Sequence, residues 1–80
     1  MAAGEREGRA VADRITEAMD ARGLKRDQLA RLAGVPRETL ARKLERVPED
    51  FKLGELVRIA EALDQPLEFL AWGVSLEVSA

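Results

Sequence analysis

Apolar residues recur at three- and four-residue spacing along most of the chain, the periodicity of helices that bury one face. Val11, Ile15, Ala18 and Met19 mark a first helix over residues 9–22. Gly23 is placed to end it, and Leu24 to pack back over the stop. Leu29, Ala30, Leu32 and Ala33 mark a second helix over residues 26–33, with all four expected in the core. Leu40 and Leu44 lie one turn apart and give the inward face of a third, over residues 36–46. A loop over residues 47–52 follows, anchored by Phe51. Leu53, Leu56, Val57, Ile59, Ala60 and Leu63 then define a fourth helix. A short fifth follows Pro66, burying Leu67, Phe69 and Leu70 and ending near Gly73.

The two ends break this pattern. Residues 1–8 are polar and glycine-spaced and read as a flexible N-terminus. In the tail, residues 73–80, Val74, Leu76 and Val78 alternate with Ser75, Glu77 and Ser79, the two-residue repeat of a strand. A frayed end is the plainer alternative. The domain proper is expected over residues 9–72.

Between the second and third helices lies the most specific local signal. Ala30 lets a second helix cross close to the first, and Gly34 can take the left-handed conformation that stops a helix. Val35 fills the corner, and Pro36 suits the first turn of the next helix, where its missing N–H is not needed. This is the spacing of a helix-turn-helix, whose second helix enters the major groove of DNA.

Charge changes the picture more by its distribution than by its total. The 80-residue chain carries a net charge of −2, which by itself speaks against a nucleic-acid partner. Residues 22–46, however, hold eight basic side chains against three acidic ones, a balance of +5. The rest of the chain holds five against twelve, a balance of −7. The positive window coincides with the helix-turn-helix, as a DNA-facing surface requires.

The pattern Leu29-Ala30, Gly34-Val35, Thr39-Leu40, Leu44 continues into Phe51-x-Leu53-x-Glu55-Leu56-x-x-Ile59-Ala60-x-Ala62-Leu63. It resembles the Cro/repressor (XRE-like) helix-turn-helix family over residues 11–70. The string Thr-Leu-Ala-Arg-Lys-Leu is similar to that of small actinobacterial and phage regulators. The resemblance implies an all-α, five-helix, lambda-repressor-like fold, sequence-specific binding of double-stranded DNA, and a two-fold dimer on a palindromic operator. Three positions depart from the family pattern. Lys25 and Arg26 stand where relatives often have Thr-Gln, Ala41 stands where they often have serine, and Lys43 where they often have a bulky apolar residue.

Within the motif, Arg37 opens the recognition helix and can bond both O6 and N7 of guanine. Glu38 either accepts from a cytosine N4 amine or pairs with Arg42 one turn on. Ala41 offers a methyl to a thymine, and Arg42 lies on the outer face. These four are the expected base contacts. Lys25, Arg26, Thr39, Lys43 and Arg46 are the expected backbone contacts, which set position but not sequence.

Other functions are less well served. The chain has no cysteine and no histidine, so no disulfide, thiolate site or zinc site is expected. Its only hydroxyls are Thr16, Thr39, Ser75 and Ser79, none beside a base that would activate it. Neither enzyme activity nor a cofactor is therefore expected. No apolar run approaches the roughly 20 residues of a membrane span, and a soluble, cytoplasmic protein without a small-molecule effector is expected. A domain this small buries only roughly 60% of its unfolded surface, which favours a homodimer. Leu67, Phe69 and Trp72, with Val74, Leu76 and Val78 of the tail, are the expected interface. The competing reading is a protein-interaction module on the same fold, such as an antitoxin or accessory factor, using the acidic C-terminal half.

Overall fold

The computed structural model describes residues 3–73. Five α-helices follow one another: α1 (Ala3–Arg22), α2 (Arg26–Ala33), α3 (Arg37–Glu45), α4 (Leu53–Leu63) and α5 (Leu67–Trp72). A single 3-10 turn, Pro48–Asp50, interrupts the loop between α3 and α4. The all-α, five-helix expectation holds for the described residues. The strand expected at Val74, Leu76 and Val78 lies outside them.

One core serves every helix. Val11, Ile15, Leu29, Ala30, Val35, Leu40, Leu44, Ile59, Leu63 and Leu70 are all buried in it. Leu24, Phe51, Leu56, Leu67 and Phe69 pack against its edge. Three apolar residues expected inside lie on the surface instead: Leu32 is 62% exposed, Leu53 68% and Val57 37%. An apolar stripe records which residues share a helix face, but neighbouring helices decide how much of that face is covered.

The first helix starts six residues earlier than expected, at Ala3 rather than residue 9. Gly8 is the reason that turn can pack. It is buried, and a Cβ there would lie 2.6 Å from the Glu49 backbone nitrogen and 2.9 Å from its Cα. A glycine that looks like a helix breaker in sequence is here the point where α1 approaches the backbone of the 3-10 turn.

Helix ends are set by backbone chemistry. Gly34 adopts φ 69° and ψ 31°, the left-handed conformation open to glycine. Its geometry lets Val35 N–H reach back to the Ala30 carbonyl at 3.0 Å, closing α2. Pro36 precedes α3 as its N-cap rather than occupying its first turn. At the start of α2, where Lys25 offers no capping oxygen, Gln28 Oε1 accepts the Lys25 N–H at 2.8 Å. Asp27 in the first turn adds the favourable negative charge.

Candidate nucleic-acid interface

The turn at Gly34 and Val35 fixes where α3 points. Val35 is buried, and Leu40 and Leu44 face the core, so the opposite side of α3 faces outward. Arg37, Glu38, Arg42 and Glu45 are exposed and Ala41 is half-buried. These positions follow the spacing i, i+1, i+4, i+5 and i+8, one continuous stripe on a helix. The four expected base-contact residues therefore share one outward face. Glu38 and Arg42 do not form an ion pair among the described residues, leaving both side chains free to face a ligand.

The expected backbone-contact residues divide. Lys25 is exposed at the N-cap of α2, Arg46 is exposed at the C-cap of α3, and Thr39 is half-buried between them. Arg26 is half-buried and its guanidinium donates to the Glu45 carboxylate, which joins α2 to the end of α3. That hydrogen bond and the guanidinium charge hold the Glu45 carboxyl below its ordinary pKa range.

Lys43 is a correction. It is only 5% exposed, and its ammonium donates to Glu55 Oε1 on α4 at 2.7 Å. The Phe51 ring centroid lies 5.9 Å from the same nitrogen, within cation–π reach. A side chain committed to the interior does not reach a phosphate on the outer face. The departure noted above, a lysine where relatives carry a bulky apolar residue, was the sequence signal for an inward position.

Glu55 holds two donors at once. Its Oε1 also accepts the Lys52 backbone N–H at 2.8 Å, completing the first turn of α4. Burial alone would push the Glu55 carboxyl up, but the hydrogen bonds and charges of Lys43 and Lys52 outweigh it, and the pKa lies below the ordinary glutamate range.

Sequence reasoning missed Arg9. Its guanidinium donates to the Leu44 carbonyl at 3.0 Å and the Glu45 carbonyl at 3.2 Å, closing the C-terminal end of α3. The signal was not local, because the partners are 35 and 36 residues away.

Of the expected interface residues, Trp72 is 70% exposed, whereas Leu67 and Phe69 pack partly against the chain's own core. Val74, Leu76 and Val78 lie outside the described residues. No described helix is long and apolar enough to cross a membrane.

Two short helices meeting at a left-handed glycine, with the second presenting a polar stripe outward, define a helix-turn-helix of the DNA-binding kind. The family model of the Cro/C1-type HTH DNA-binding domain matches residues 14–71, and the chain belongs to that family. Searches of curated proteins and of solved structures returned no match. Membership supports a DNA-binding regulator in general terms.

Proposed function

We propose that the chain is a Cro-like repressor that binds a palindromic operator in double-stranded DNA as a homodimer, with α3 of each copy in the major groove. The observation that carries this reading is the outward stripe of α3. It holds two arginines unpaired among the described residues, Arg37 and Arg42, on a helix whose opposite face is fixed in the core. Arg37, Glu38, Ala41 and Arg42 read base edges, Arg37 as the leading contact. Lys25, Arg46 and Thr39 contact the backbone, joined by Arg26 when phosphate replaces Glu45 as its partner.

The dimer follows from the geometry of operators, since one recognition helix covers one half-site and two copies about 34 Å apart cover adjacent turns. Trp72 at the end of α5 is the anchor of that association, with residues 74–80 continuing from it. On this reading the chain acts by binding rather than by catalysis, and works in the cytoplasm.

Binding-site selection from randomised duplexes tests the proposal. The expected result is a two-fold symmetric consensus recovered by the wild-type chain. Recovery of sequences without a common motif would overturn sequence-specific recognition, and an asymmetric single half-site would overturn the dimer.

A further inference from the structure

We propose that the pair formed by buried Lys43 and half-buried Glu55 is the positioning element of the recognition helix, fixing the angle at which α3 offers Arg37, Glu38 and Arg42 to bases. The inference rests on the DNA-binding reading above and adds to it the residues that set its specificity.

Helix α3 has little apolar hold of its own. Of its nine residues, Leu40 and Leu44 are the buried apolar ones. Leu40 and Leu44 fix which face of α3 turns inward, but apolar contact is non-directional and leaves the finer angle of the helix to directional contacts. The directional contacts are polar, and among the described residues three side-chain contacts from other helices reach α3: Arg9 at its last carbonyls, Arg26 at Glu45, and Glu55 at Lys43. The Arg26 and Glu45 side chains are 42% and 54% exposed, where an ion pair exchanges readily with water. The side chains of Lys43 and Glu55 are 6% and 14% exposed, and their contact is shielded.

Glu55 is also a fixed point rather than a free rotor. The oxygen that takes the Lys43 ammonium takes the Lys52 N–H as well, which ties the carboxylate to the first turn of α4. Phe51 closes another side of the ammonium. Lys43 adjoins Arg42 in sequence, so any rotation of α3 that the pair prevents would swing Arg42 off its base. Recognition groups need placement to within about 0.5 Å. Buried ion pairs contribute little net stability compared with matched apolar residues, and setting register is their best attested use.

The test compares the wild-type chain with K43M/E55Q and E55Q, first on hydrogen exchange and then on DNA. The amide introduced by E55Q keeps an oxygen for the Lys52 N–H, so α4 retains its first turn. In K43M/E55Q the α3 amides are expected to exchange faster relative to α1 amides, a readout that needs no DNA. The ratio of binding to the selected site over random duplex is expected to fall about tenfold, the scale of one good base contact, with the salt dependence unchanged. E55Q, which weakens the pair without removing it, is expected to lose severalfold. A folded variant of either kind with wild-type exchange and wild-type ratio would overturn the positioning role. Lower thermal stability with an unchanged ratio, measured where all proteins are folded, would overturn it too. If the wild-type chain itself shows no preference for its selected site, the DNA-binding reading fails, and the exchange comparison alone decides whether Lys43 and Glu55 hold α3.

Discussion

The guanidinium of Arg9 donates to the carbonyl of Leu44 at 3.0 Å, so the first helix closes the C-terminal end of the third. The carbonyls of a helix's last turn lack intrahelical donors and carry the negative end of its dipole. Arg14 does the same for α5, donating to the Leu70 carbonyl at 2.9 Å. Two arginines of α1 thus complete the ends of two distant helices. Arg9→Ala is expected to lower stability by about 1 kcal/mol in urea denaturation, because the contact is charge-assisted but partly exposed. An unchanged midpoint would show that water replaces the guanidinium without loss.

Gly8 provides a test in which two effects oppose each other. In an open helix, Gly→Ala gains about 1 kcal/mol of helix propensity. At Gly8 the added methyl meets the backbone of Glu49 at 2.6 Å, and overpacking of this kind costs about 1–3 kcal/mol. The clash is expected to win, leaving G8A less stable by about 1 kcal/mol. A more stable G8A in the same denaturation experiment would mean that α1 and the 3-10 turn separate easily.

These cases show which parts of the molecule the sequence discloses. The corner at Gly34 and Val35, the inward Leu40 and Leu44, and the existence of all five helices were legible. Each depends on residues within one or two turns, where backbone chirality and periodicity act. Gly8, Arg9 and the Lys43–Glu55 pair were not, because their partners lie far along the chain. Exposure of Leu32, Leu53 and Val57 was hidden for the related reason that spacing cannot say which neighbouring helix covers a face. Arg42 lies on the outer face of α3 as its spacing implies, whereas Lys43, expected on that surface, lies on the inward side of the same helix. A lysine is so often a surface residue that its charge outweighed the position it occupies.

Acid should act on the pair that sequence spacing did not disclose. The Glu55 carboxyl has a lowered pKa in the folded chain, so it binds fewer protons there than when unfolded. Its contribution is fully present above the ordinary glutamate value of about 4.3 and is lost as pH falls through the lowered folded value. Glu45 contributes with the same sign at the surface. Thermal unfolding between neutral and acid pH is expected to show stability falling below about pH 4.3, less steeply in E55Q. An E55Q curve parallel to that of the wild type throughout would exclude Glu55 as a source of the acid sensitivity.

On the proposed reading, Glu45 would compete with DNA for Arg26, because its carboxylate already holds the guanidinium that a phosphate would bind. Glu45→Gln is expected to leave stability little changed, since the pair is exposed, and to tighten binding to every duplex alike by a few fold. Fluorescence anisotropy with a selected and a random duplex checks the binding, and urea denaturation the stability. Weaker binding would show that Glu45 orients Arg26 for the backbone instead of withholding it.

The most direct test of the central claim is the salt dependence of binding to the selected duplex. Counterions leave the DNA in proportion to the phosphates that a protein neutralises, so log affinity falls linearly with log salt. Two copies neutralising about six phosphates through the basic window give an expected slope of about −5. Arg37→Ala on the same duplex is expected to lose about 1–3 kcal/mol and relax preference at one base pair. A flat salt dependence, or no binding even at low salt, would contradict the assignment of the α2–α3 face as a DNA-binding surface.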